Sequence, residues 1–587
     1  MEIGAFEVFE NKVILRIQNR ICETADEVLS SALFRDILNR GLKELSHKKS
    51  MLMNIFPDGN YGEEDIDVLI KTLKFLTKMP GDMAPNVVPG SAVFLKDRAL
   101  LNDFTEYLYN YWRQFERFII CDSTDSDMDK RPYRTFNDTV ELLTNLIRRT
   151  YRDIQENITN SHSRIYRQVI AGAEVAVISV PRKIPFADPV YERLNDIPMI
   201  RQILLHPPLI LNPPMNKRSG KFERVQKNPI AHIEFNKNEW LCYPALVGPL
   251  VVLIYFHKKF FELGFSLCNL FRLAEDKDLE RKPDAVYAFG APEWPADQFG
   301  GALTPFYDDE KTDILAAAIP NSNEFGYFGY LKKMVLTLHN IKMMRAGKLP
   351  FHGALLRIIL KGNKAATVLF IGDTGAGKSE TIEAFRELGQ ENIQDLIVIA
   401  DDMGSLEKNK QGEIIGYGTE IGAFLRLDDL QPGYALGQID RAIIMSANEV
   451  NARIILPVTT YENLIKGHKI DFILYANNYD NVDDEHPILE KFNASDEAIK
   501  VFREGTVMSK GTTTSKGLVH SYFANVFGPP QYKELHDPLA REFFNAFYTA
   551  GIFVGQIRTR LGLSGWERKG PEEAAKELLK VIRERTT

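Results

Sequence analysis

Eight consecutive residues, Gly372-Asp373-Thr374-Gly375-Ala376-Gly377-Lys378-Ser379, constrain the fold of this chain more than any other stretch. They fit G-x-x-x-x-G-K-[ST] and stand between an apolar run, TVLFI, and a segment of helical spacing, SETIEAFREL. A strand that turns through glycines into a helix belongs to a layered α/β architecture. The glycines let backbone N–H groups curl around phosphate oxygens, and the helix N-terminus adds positive potential there. Lys378 is expected to reach the terminal phosphates, Ser379 to place its hydroxyl on a bound metal ion, and Glu380 to belong with the loop to the phosphate or nucleotide site. Further on, the run LIVIA ends in Asp401 and Asp402, two hard oxygen ligands at a strand end. A nucleotide or other polyphosphate site follows.

At 587 residues the chain is too long for one ordinary core. Residues 1–165 read as a mostly helical region, in which VLSSALFRDILNRGLKEL and TFNDTVELLTNLIRRTYRDIQENI carry apolar residues at helical spacing. These helices form a packed subdomain on the plainer reading and a surface for a protein partner on the other. Residues 166–325 mix short apolar runs with Pro-rich turns and read as an α/β substrate-side domain. From 326 to 587 the runs TVLFI, DLIVIA, RAIIMSA, ARIILPV and KIDFILYA mark a strand-rich α/β catalytic core. The stretch WLCYPALVGPLVVLIYF is nearly long enough for a bilayer, but Pro244, Gly248 and Pro249 interrupt it, so buried strands are expected. With 72 basic against 79 acidic residues there is no basic footprint for nucleic acid and no polybasic membrane anchor. Four scattered cysteines and an N-terminus without an apolar signal region fit a cytoplasmic protein.

Several motifs, in order from about Asn323 to Pro530, resemble the phosphoenolpyruvate carboxykinase superfamily, which includes HPr kinase/phosphorylase. Tyr327-Phe-Gly-Tyr-Leu-Lys332-Lys333 is similar to the carboxykinase segment Y-G-G-E-x-K-K, with Phe328 for Gly and Tyr330 for Glu. The resemblance puts Tyr327 beside the substrate and makes Lys333 a ligand of the catalytic transition metal. His352-Gly353 stands where the family has its metal-binding histidine, and GDTGAGKSE is closer to the HPr kinase loop than to that of the carboxykinases. Asp401-Asp402 matches the pair shared by both. Asn451-Ala452-Arg453 with Pro457 resembles N-T-R-x-x-Y-P, whose arginine touches substrate and the transferring phosphoryl group. Phe523-Ala-Asn-Val-Phe527-Gly528 parallels F-S-A-C-F-G. After the family's G-T-E loop, where the ATP type carries arginine, this chain has Thr514 and then Lys516, a candidate donor contact. Lys217-Arg218-Ser219-Gly220-Lys221 is loosely similar to G-R-S-P-K-D-K, which implies that Arg218 holds the substrate carboxylate; by itself it reads as a solvated basic loop.

The resemblance implies a carboxykinase-like fold and an enzyme that interconverts oxaloacetate plus a phosphoryl donor with phosphoenolpyruvate plus CO₂. The donor is ATP, GTP or pyrophosphate, and the acceptor a small dicarboxylate. Lys333, His352 and Asp402 would hold Mn²⁺ or a similar transition metal, while Ser379 and Asp401 would hold Mg²⁺ with the nucleotide. Lys378 and Asp401 serve phosphoryl transfer, which asks mainly for positioning and charge neutralisation. Arg453 offers a planar fork for carboxylate or phosphate. Two other readings stay open: a kinase acting on a protein or metabolite hydroxyl, and a nucleotide-sensing binding module.

Overall fold

The computed structural model describes residues 6–17, 21–123, 131–295, 297–362, 364–373, 375–427, 430, 437–509 and 517–585. The fold is mixed α/β with several mixed sheets. The chain divides into two compact units, Met1–Pro181 with Ile200–His206, and Arg182–Met199 with Pro207–Thr587.

The first unit wraps helices around a small sheet. Phe6–Phe9 and Lys12–Ile17 form a hairpin. Glu116–Asp122 then pairs in parallel with Lys12–Ile17, and Val175–Val180 in parallel with Glu116–Asp122. Parallel neighbours need long crossovers. The first is supplied by the helices Ala25–Ser30, Ala32–His47, Glu63–Leu76 and Arg98–Arg113, the second by Arg131–Thr159. Thr24 and Ser31 start the first two helices, their hydroxyls accepting from the amides of Glu27 and Phe34. Leu38, Leu42, Leu69, Leu76 and Leu101 are wholly buried between the layers. The helical character expected of this region is present, and the short runs KVILRI and ERFIICD add a parallel sheet beneath it.

The second unit contains two large sheets. In the first, Trp240–Val247 and Leu250–His257 form an antiparallel hairpin across Gly248, whose φ is +53°. This is the long apolar stretch of the sequence, folded back on itself and buried along its whole first strand. Among the described residues no helix is long and apolar enough to cross a membrane. Ala285–Ala291 and Ile314–Pro320 extend the sheet in parallel.

In the second sheet, Leu349–Leu360 pairs antiparallel with Ala365–Ile371, Ile393–Ala400 and Met403–Lys408. Phe472–Asn477 runs parallel to Ala365–Ile371. A smaller sheet carries Gly422–Arg426, Arg453–Pro457 and Ile443–Met445. All five runs singled out between 326 and 587 form strands.

The helix Phe328–Arg345 touches strands of both large sheets. Phe328, Tyr330, Leu336, Leu338 and Met343 point in different directions around it and all are buried. A helix apolar all round is an interior helix. Of the two adjacent lysines on this helix, Lys332 is buried and Lys333 partly buried.

Candidate functional site

One strand explains why the phosphate loop and the acid pair meet. In Leu349–Leu360, His352 lies opposite Met403, the residue after Asp402, and the Gly353 amide donates to the Asp402 carbonyl at 2.8 Å. On the other edge, the Gly372 amide donates to the His352 carbonyl at 3.2 Å. A Cβ at Gly353 would come within 2.2 Å of the Phe370 carbonyl oxygen, so the residue after His352 has no room for a side chain.

The phosphate loop is braced from behind. Asn478 Nδ2 donates to the Gly375 carbonyl at 2.9 Å, and the Thr559 hydroxyl to the Ala376 carbonyl at 2.8 Å. Gly377 has φ +98°, and a Cβ there would meet the Thr559 side chain at 2.7 Å. Ser521 Oγ donates to Asp373 at 3.2 Å. Lys378 is buried and folds back on the loop, its Nζ donating to the carbonyl of Gly372 and, at 3.2 Å, to that of Asp373. Burial lowers its pKa against the pull of Asp402 and Asp373. The side chain of Ser379 and the whole of Thr374 and Lys516 lie outside the described residues.

The loop opens on a cleft of about 190 Å³ lined by Tyr327, Lys333, His352, Asp373, Gly375, Lys378, Glu380, Asp401, Asp402 and Arg453. Asp402 is its electrostatic centre. Its Oδ2 accepts from Lys332 Nζ at 2.7 Å and its Oδ1 lies 2.9 Å from His352 Nε2. Burial would raise its pKa, but Lys332 and His352 hold it well below the ordinary carboxylate range. Asp401 goes the other way, raised by burial and by its neighbour Asp402.

Successive residues on a helix point about 100° apart. Lys332 turns toward Asp402 and, at 3.1 Å, Glu420. Burial opposes its charge, yet the two carboxylates raise its pKa. Glu420, buried and repelled by Asp402, is pushed up to about 8. Lys333 turns toward cations. Burial, then the charges of Arg218, Lys332 and Arg453, lower its pKa to about 8 against the pull of Asp402. Its ammonium lies 5.1 Å from the ring of Phe527.

Arg453 stands over Phe424 at 5.4 Å and near Tyr327, whose hydroxyl pKa is raised by burial against the pull of the Arg453 charge. Arg218 sits half-buried over Phe222 at 4.8 Å, close enough for its charge to act on Lys333 and Tyr327. Its loop is tied down on both sides. Asn451 Nδ2 donates to the Asn216 carbonyl at 2.5 Å, and the Tyr330 hydroxyl donates to the Ser219 carbonyl at 2.8 Å while accepting from the Ser219 amide at 3.1 Å. Tyr330 thus acts as a latch on this loop. Tyr330→Phe should speed exchange of the Ser219 amide about tenfold, the loss of about one net hydrogen bond. Unchanged exchange by mass spectrometry would mean that other contacts hold this loop.

Glu420 and Phe424 escaped the sequence reading, and Asn525 and Phe527 were part of a quoted motif to which no site role was given. Glu420 follows Thr419, whose hydroxyl anchors to the Met403 carbonyl at 2.9 Å. Phe424 supports Arg453. Asn525 and Phe527 enter the cleft from a turn in which Phe523, Ala524 and Asn525 all have positive φ, at 45°, 55° and 62°. Three consecutive non-glycine residues in that region store strain. The turn aims the Ala524 carbonyl at His352 Nδ1, 2.5 Å away.

A carbonyl only accepts, so Nδ1 donates in this contact, and Nε2, 2.9 Å from Asp402, is the nitrogen that a metal would take. Among the described residues no group of three His, Cys, Asp or Glu gathers to hold a metal. The donor set here is one imidazole, one carboxylate and one amine with a depressed pKa, and that mixed chemistry fits a transition ion. No family model matches the chain, and no curated protein matches it in sequence.

Proposed function

We propose that this chain is a phosphoenolpyruvate carboxykinase-like enzyme, interconverting oxaloacetate plus a phosphoryl donor with phosphoenolpyruvate plus CO₂. One observation carries the reading. Lys333 and Arg453 line the cleft onto which the phosphate loop opens, Arg218 lies close enough for its charge to act on Lys333, and among the described residues none of the three is in an ion pair. Partly buried cations without counter-ions call for an anionic ligand. A pure nucleotide sensor would need cations only on the donor side.

In this reading the loop amides and Lys378 hold the donor's terminal phosphates. Arg453 spans the substrate and the moving phosphoryl group, Arg218 holds a substrate carboxylate, and Tyr327 fixes the Arg453 fork. Lys333, His352 and Asp402 would hold a divalent transition ion, and Asp401 the Mg²⁺ that accompanies the donor. The transition ion supplies charge stabilisation for the enolate oxygen. Lys332 keeps Asp402 ionised. The test supplies phosphoenolpyruvate, bicarbonate and Mn²⁺ with ADP, GDP or inorganic phosphate in turn, and detects oxaloacetate through a coupled dehydrogenase. Product with one acceptor identifies reaction and donor together; no product with any of them refutes the reading.

The raised pKa of Asp401 favours a second reading, a kinase on a hydroxyl, because a carboxylate of raised pKa at the phosphate end is a better proton acceptor. In that case donor turnover would depend on a hydroxyl compound and not on phosphoenolpyruvate.

Arg453→Lys separates positioning from charge. A point cation replaces a bidentate fork. Turnover should fall by more than tenfold and by more than donor affinity does. A collapse of donor affinity with turnover intact at saturation would move Arg453 to the donor side.

A further inference from the structure

The left-handed turn at 523–525 is held from the side away from the cleft. Phe523 and Ala524 are sterically disfavoured in that conformation, so contacts outside the turn have to keep them there. The residue before them supplies those contacts. The Tyr522 hydroxyl donates to Asp537 Oδ1 at 2.6 Å, and Asp537 is paired with Arg503 at 2.8 Å. A hydroxyl has one proton to give, so Tyr522 accepts from His536 Nδ1, 2.8 Å away. His536 is wholly buried near the start of the helix Lys533–Thr549, and burial lowers its pKa to about 4. The neutral imidazole therefore carries its one proton on Nδ1, pointed at Tyr522. The Phe523 ring packs edge-on against the same imidazole, with centroids 4.8 Å apart. None of Tyr522, His536, Asp537 and Arg503 lines the cleft.

The other face of the turn serves the site. The Ala524 carbonyl accepts from His352 Nδ1 at 2.5 Å. Phe527 follows, its ring 5.9 Å from that of His352 and 5.1 Å from the Lys333 ammonium. Asn340 Nδ2 donates to the Phe527 carbonyl at 2.8 Å and ties down the far end of the segment. Tyr522 ties down the near end. Relaxation of the turn to an ordinary conformation would swing the Ala524 carbonyl off His352 and remove the contact that orients its Nε2.

We propose that Tyr522 is a positioning residue for the metal site: its hydroxyl, clamped between Asp537 and His536, keeps the turn closed, so that the Ala524 carbonyl holds His352 in the orientation a divalent transition ion requires. The proposal rests on the reading of Lys333, His352 and Asp402 as the ligands of such an ion.

Tyr522→Phe keeps the ring and removes the hydroxyl. In the metal-free full chain the Ala524 and Asn525 amides donate to the Ser521 and Tyr522 carbonyls, at 3.1 Å each. Their exchange, followed by mass spectrometry, should speed about tenfold or more in the variant. Mn²⁺ affinity at pH 8, followed by electron paramagnetic resonance, should fall about tenfold, because the ion meets only the fraction of molecules whose turn is closed. Ala524→Gly added to Tyr522→Phe should bring the affinity back to within about threefold of wild type, since glycine takes the left-handed conformation without steric cost. A tyrosine that served stability alone would leave the double variant as weak as the single one. Equal amide exchange in wild type and Tyr522→Phe overturns the proposal. So does equal Mn²⁺ affinity in the two, or failure of Ala524→Gly to restore it. Absence of Mn²⁺ binding already in the wild type refutes the ligand reading itself, and the proposal falls with it.

Discussion

Lys378→Ala should lose phosphoryl transfer by on the order of 100-fold or more, the cost of removing one preorganised cation from a transition state whose charge develops against it. The geometry of the loop makes this a sharp test. Lys378 Nζ lies against the Gly372 and Asp373 carbonyls, at the mouth of a loop already braced by Asn478 and Thr559. Phosphate oxygens would replace those carbonyls as its acceptors. The loop therefore keeps its shape without the lysine, and the melting temperature should move little. Turnover is measured with the donor found in the bicarbonate assay, and donor affinity by calorimetry. Near-wild-type turnover would exclude this loop as the catalytic phosphate site.

The loop was legible because its pattern is local: strand, glycines, lysine and helix are contiguous, and Asp401-Asp402 ends the next strand of the same sheet. The hairpin of 240–257 was legible for a similar reason, since Gly248 and Pro249 break the apolar run where the chain turns. Lys332 shows what local pattern withholds. Beside Lys333 it reads as half of a solvated pair, yet it is buried between Asp402 and Glu420. The signal was present in its neighbours. Met334, Val335, Leu336, Leu338 and Ile341 leave the helix no polar face, which is incompatible with solvated lysines. Glu420 carried no such signal, because its place depends on the pairing of distant strands. The turn at 523–525 was invisible for a different reason: Phe, Ala and Asn do not announce positive φ, and only the closed structure holds them there.

The second large effect is expected at Lys333. An ammonium group has no lone pair, so this residue can ligate a metal only when neutral. Burial, with Arg218, Lys332 and Arg453 nearby, lowers its pKa to about 8. At pH 7 roughly one molecule in ten then carries the amine, and at pH 8 about half. Binding of Mn²⁺ must release the proton from the rest. Affinity should therefore rise about tenfold per pH unit below pH 8 and level off above it. Asp402 is held ionised by Lys332 and His352 throughout and adds no slope of its own. Lys333→Arg keeps the positive charge but cannot deprotonate in a protein. It should abolish Mn²⁺ binding and the pH dependence with it, while the phosphate loop still binds the donor with Mg²⁺. The decisive measurement is a Mn²⁺ titration followed by electron paramagnetic resonance at pH 7 and pH 8.5, variant beside wild type. Equal affinity in the two proteins at both pH values would leave Lys333 a substrate-binding cation and remove it from the metal site.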